Sequence, residues 1–261
     1  MLPDKVNCVV VNTGNLINSK ELKKKAMQTP TEEVFDSIST TFLSWLENLK
    51  ENENDVEDLT TIFCVSPNAI KVNGSDRADL KISVKIFLED YNCENLKASI
   101  QEVMNALDIS VIDSLILALP PPSNEEKFNL EKMKPLWTEL ENFLIQGKCV
   151  TLGMSDLDAP ELAELYEWTE IKPSVNQVNI ESCCVMPPEL IAFAKEHDIQ
   201  LLTHNDSRVL FPNKMLHKIL EPAVRTPEDW KISWIVRYSI IVKCRGIIQN
   251  KGYLMHTVKN I

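Results

Sequence analysis

Lys85 lies in Lys81–Leu88, where apolar residues alternate with short polar ones, and the run reads as a buried strand with one lysine pointing inward. A buried ammonium is costly unless a carboxylate or phenol shares its proton. The chemistry on offer is therefore acid–base, and it depends on which group meets the lysine. Cys183 and Cys184 are adjacent and follow a strand. Sequence neighbours do not readily close a relaxed disulfide with each other, so one of them could meet a thiol on a partner; two small packing residues are the alternative. His204 ends a short strand, where it either stacks on a ligand or serves as a satisfied polar group; His197, His217 and His256 show no ligand spacing with it. Asp156, Asp158 and Glu161 surround Pro160, which fits a helix cap better than a metal site. Trp230, Trp234 and Tyr238 recur every four residues and read as a core-facing helical stripe that could also offer a partner an anchor.

Positioning these residues falls to strands and helices that alternate along the chain. Val6–Val11 is a β-branched run that stops at Asn12-Thr13-Gly14. Thr29 to Glu32 has the form of a capping box with proline in the first turn. Val34, Phe35, Ile38, Phe42, Trp45, Leu46 and Leu49 then continue at helical spacing. Strands are expected at Thr60–Val65, Lys81–Leu88, Val111–Leu119, Cys149–Met154, Val175–Val178 and Ile199–Thr203. Helices are expected at Asn95–Leu107, Leu130–Ile145, Pro160–Trp168, Pro188–Lys195 and Glu228–Tyr238, with Gly246–Ile248 as a closing strand. Such alternation implies parallel strands with right-handed crossovers. About eight βα units in this length match a single (β/α)8 TIM barrel spanning residues 1–261.

Composition narrows the classes. A net charge of −11 argues against nucleic acid or an anionic membrane as partner, because phosphate binding needs clustered Lys and Arg. The apolar runs are too short to span a bilayer, and Met1–Lys5 offers no apolar signal region, so a cytoplasmic location is expected. Seven scattered cysteines with no C-x-x-C read as reduced thiols and give no zinc spacing. Six glycines, none clustered, leave no backbone cradle for phosphate.

Several strings carry a family resemblance. Gly147–Asp156 resembles the fifth-strand motif of the aldo-keto reductases, Val175–Val178 their sixth strand, Asp113–Pro120 their fourth, and Lys81–Leu88 the third strand that bears a catalytic lysine. The resemblance implies a barrel of aldo-keto reductase type, in which a tyrosine gives a proton to a carbonyl, a lysine–aspartate pair tunes it, and hydride comes from NADP(H). No tyrosine stands between Thr60 and Lys85, and Ala118 replaces the family's histidine, so Lys85 is a relic of that tetrad. Ser155 and Gln177 match residues that grip the nicotinamide amide, with Asp156 where the family has asparagine and His204 at the aromatic platform. No cofactor is expected on this basis, beyond weak residual NADP(H) binding. Ser182–Leu190, Gln200–Asp206 and Arg237–Ile248, together with Thr13–Ile17 and Lys251–Tyr253, are similar to the regulatory (modifier) subunits of glutamate–cysteine ligase. That similarity implies a non-catalytic light chain forming a heterodimer with the glutamate–cysteine ligase catalytic subunit. Such a light chain improves glutamate use and relieves glutathione feedback. The competing expectation is an active NADP-dependent reductase with a displaced acid.

Overall fold

The computed structural model describes residues 1–18, 28–51, 59–72, 74, 76–120, 128–179 and 185–260. In chain order the elements are β1 (Cys8–Asn12), α1 (Pro30–Glu51), β2 (Thr61–Val65), β3 (Leu80–Leu88), α2 (Cys93–Leu107), β4 (Ile112–Ala118) and α3 (Leu130–Ile145). They continue as β5 (Cys149–Ser155), α4 (Ala159–Trp168), β6 (Val175–Asn179), α5 (Pro188–Glu196), β7 (Gln200–His204), α6 (Asn213–Leu220), β8 (Trp230–Val242) and β9 (Ile247–Lys259).

Local chemistry sets several starts. Thr29 and Glu32 exchange the reciprocal bonds of a capping box ahead of α1. Asp158 and Glu161 do the same for α4, while Asn92 and Asn129 cap α2 and α3 with their side chains.

Among the described residues one nine-stranded sheet holds all the strands, in the order β2-β1-β9-β8-β3-β4-β5-β6-β7. The run β3 to β7 is parallel and linked by α2 to α5, the βα repeat expected of a (β/α)8 barrel. Among the described residues the ladder does not close between β7 and β2. The chain instead splits the sheet between β1 and β3 with the antiparallel hairpin β8–β9. The helices of the two βα runs pack on opposite faces of the sheet. Val34, Ile38 and Phe42 of α1 and Leu216 and Ile219 of α6 pack with Val9, Val11, Ile62 and Tyr253. Leu96, Ile100 and Val103 of α2 and Met133 and Trp137 of α3 pack on the other face, with Ile82, Val84 and Ile86.

The segment expected as a helix at Glu228–Tyr238 is strand β8 from Trp230 onward. A spacing of four satisfies a strand face as well as a helix stripe, and the β-branched and aromatic content decides for strand. Nor do the three aromatics share a face. An irregularity between Ile232 and Trp234 shifts the register, so Trp230 and Ile232 join the α1–α6 core while Trp234, Val236 and Tyr238 join the α2–α3 core. The strand expected at Gly246–Ile248 is the start of β9, whose Gly252 admits no side chain: a Cβ there would lie 2.2 Å from the Gly14 carbonyl and 2.4 Å from the Tyr238 hydroxyl.

Candidate functional site

The face of β3 opposite Ile82, Val84 and Ile86 carries Lys85, next to Arg237 in the antiparallel register with β8. The loop after β7 folds back over this face toward α6, and it brings a carboxylate to both cations. Lys85 Nζ donates to Asp206 Oδ2 at 2.8 Å, and Arg237 donates to both Asp206 oxygens, with Nη2 to Oδ2 at 2.9 Å. The lysine and aspartate side chains are 4% and 3% exposed. Phe87 lies beneath both cations, 5.1 Å from Lys85 Nζ and 5.5 Å from the Arg237 guanidinium. Asn179 donates to the Asp206 carbonyl at 2.7 Å and holds the loop in place.

A second layer adjoins at the ends of β5 and β7. Asp156, with φ of 67°, accepts from His204 Nε2 at 2.9 Å and from the Asn179 N–H at 3.0 Å through Oδ1. Its Oδ2 accepts from the Ser155 hydroxyl at 2.8 Å. The Asp206 N–H donates to His204 Nδ1 at 3.1 Å, which assigns the neutral ring its proton on Nε2; once protonated, the ring faces Asp206 Oδ2 at 3.2 Å.

Burial raises the Asp206 carboxyl, but hydrogen bonds from His204 and Arg237 and the charges of Arg237 and Lys85 outweigh it, holding the group far below the usual carboxylate range. Asp156 is likewise lowered, burial being outweighed chiefly by His204. Burial alone would lower His204, yet its bonds to Asp156 and Asp206 raise it. Lys85 sits below the ordinary lysine value because burial exceeds the pull of Asp206 and Arg237 repels it.

The lysine thus has a carboxylate partner, supplied by a residue that the sequence marked only as the end of the Gln200–Asp206 string. Asp206, Arg237 and Asn179 are additions to the expected set. Of that set, the structure brings Lys85, Ser155 and His204 into one connected network. The Gln177 side chain stays outside it, its Oε1 buried and without a partner. Cys183 and Cys184 lie outside the described residues. Asp158 is a helix cap, as expected, whereas Asp156 serves the network.

Nicotinamide chemistry does not fit these residues. The Ser155 hydroxyl is committed to Asp156, and no nest of glycine N–H groups is present among the described residues. The phenol beside Arg237 is Tyr253. It is fully buried, donates to Glu33 at 2.7 Å, and burial pushes its pKa up, the reverse of what a proton donor to a carbonyl needs.

Comparison with known proteins places this geometry. A family model described as the aldo/keto reductase family matches residues 65–205. The glutamate–cysteine ligase regulatory subunit of Homo sapiens is 39% identical over 250 residues, covering 94% of this chain and 90% of that protein. The chain belongs to the glutamate–cysteine ligase regulatory subunit family. Within that family, a putative regulatory subunit from Schizosaccharomyces pombe is 24% identical and covers 81% of this chain and 80% of its own. The aldo/keto reductase ancestry shows in the glyoxal reductase of Bacillus subtilis, 26% identical over 184 residues, which are 70% of this chain and 63% of that enzyme. Among the described residues no helix is long and apolar enough to cross a membrane. The buried Lys85–Asp206–Arg237 cluster ties β3 and β8 to the loop leading to α6.

Proposed function

We propose that this chain binds the catalytic subunit of glutamate–cysteine ligase as a heterodimer, improves its use of glutamate and relieves inhibition by glutathione, with no catalysis and no cofactor of its own. The near full-length 39% identity to the human regulatory subunit carries this reading. The site supports it, because a lysine and an aspartate shut away from solvent cannot meet a carbonyl substrate. A bound subunit alters its partner's kinetics only by binding one state of that partner better than another, so the effect is a coupling free energy of about 1–3 kcal/mol, or roughly 5- to 150-fold.

The test is co-purification of the two full-length subunits, followed by measurement of KM for glutamate and inhibition by glutathione with and without this chain. A stable complex with lower KM and weaker glutathione inhibition is expected. Absence of a complex, or steady NADPH-dependent reduction of carbonyl compounds by this chain alone, would overturn the reading.

A further inference from the structure

The sheet ends at β2, and that end is apolar. β2 pairs with β1 along one side, and no described residue pairs with the other. The Ser66 N–H donates to the Asn12 carbonyl and the Cys8 N–H to the Thr60 carbonyl, so Thr61, Phe63 and Val65 turn their backbone groups outward. Phe63 and Val65 are 54% and 50% exposed, although the alternating Ile62 and Cys64 are buried. An apolar strand edge with no charge or proline to guard it invites another strand.

Beside this edge lies a cavity of about 400 Å³, walled by Val10, Phe63, Val65, Ile70 and Ala106 and bounded by Glu102 of α2. No hydrogen bond or salt bridge from a described residue reaches the half-buried Glu102 carboxyl, and burial moves its pKa upward. The other ion at the rim, Lys71, leans toward Asp108 at 3.9 Å. The geometry therefore presents outward backbone groups beside a largely apolar cavity that Asn12 and Asn105 also line, with an unanswered acid at its rim.

We propose that β2 and this cavity receive an extended segment of the catalytic subunit, which adds as a further strand, places an apolar side chain in the cavity and sets a lysine or arginine against Glu102. The inference rests on reading this chain as a regulatory subunit. Strand addition draws affinity from backbone bonds and specificity from alternate side chains. Charge selects the occupant: a chain of net charge −11 favours a basic segment. A second copy pairing through its own β2, Thr-Ile-Phe-Cys-Val, brings no cation to Glu102.

The experiment measures binding of the full-length chain to the catalytic subunit for wild type, Phe63→Lys, Val65→Lys and Glu102→Lys, with amide exchange at Phe63 and Val65 in the free and bound wild type. Each variant is expected to melt like wild type and to bind about tenfold more weakly or worse. The two wild-type amides should exchange quickly when free and slowly in the complex. Variants that bind within about twofold of wild type, with both amides unprotected, overturn the docking site and leave the regulatory reading standing. A wild-type chain that binds no catalytic subunit overturns both. Self-association of wild type that the substitutions abolish makes a second copy the occupant and also overturns the proposal. If a variant fails to fold, protection of the two amides in the wild-type complex decides.

Discussion

Asp206 serves two cations with one carboxylate, and this asymmetry orders the consequences of substitution. Asp206→Ala strands both Lys85 and Arg237 away from water, a loss of about 3–5 kcal/mol. Lys85→Met removes one cation but leaves the aspartate in its two bonds with Arg237, so it should cost less, about 1–2 kcal/mol. Urea unfolding of the two variants checks the order, and equal losses would contradict it. His204 makes the network sensitive to pH. Its folded pKa lies above its unfolded value of about 6.5, so its contribution is full below that value and is lost as pH rises through the folded pKa. Asp156 and Asp206 have the opposite sign: their folded values are depressed, and what they contribute is lost only in acid. The stability gap between wild type and His204→Asn should therefore be wider near pH 5.5 than well above the raised histidine value; a gap that grows with pH would refute the assignment. Lys85 was legible in the sequence because a lone lysine in an apolar strand has to be explained. Its partner was not legible, since it lies 121 residues away in a loop with no periodicity to mark it.

At the level of elements, what depends on neighbours in sequence could be read in advance. The box at Thr29 and Glu32 and the cap at Asp158 both formed as their residue types require. The parallel βα run could be read too, because its strands are short and bounded by turn residues and alternate with helical spacing. The hairpin could not. Trp230, Trp234 and Tyr238 fit two periods at once, and the register shift that separates them onto opposite cores leaves no mark in composition. The hairpin's tightest point offers a sharp check. Gly252→Ala would drive a methyl into the Gly14 carbonyl and the Tyr238 hydroxyl, and it should lower stability by about 1–3 kcal/mol. A melting temperature equal to wild type would mean that β8 and β9 sit farther from Gly14 than described. Removing everything after Asp229 takes out two strands from the middle of the sheet, not an appendage. That truncated chain should show no cooperative thermal transition, so its failure to bind a partner would report unfolding.

For the molecule as a whole, family was easier to read than shape. Long idiosyncratic strings point to the regulatory subunits, and 39% identity bears that out. The order of the strands, and the ladder left open among the described residues, depend on where β8 and β9 insert, which no local pattern encodes. A light chain of net charge −11 that docks on a basic segment should lose affinity as salt is added. Measuring complex formation across ionic strength tests this, and salt-independent binding would argue for a purely apolar contact. The insertion of β9 beside β1 also sets a schedule for biosynthesis. Cys8 meets His256 across 248 positions, and Thr13 meets Tyr253 across 240. While the polypeptide is being made, β1 has no neighbour on its β9 side and β3 none on its β8 side. The βαβ unit of β1, α1 and β2 must therefore wait beside the growing βα run until β8 and β9 have been made. A ribosome that stops before β8 would release a chain in which β1 and β3 have nothing to join them, a substrate for chaperones and proteases.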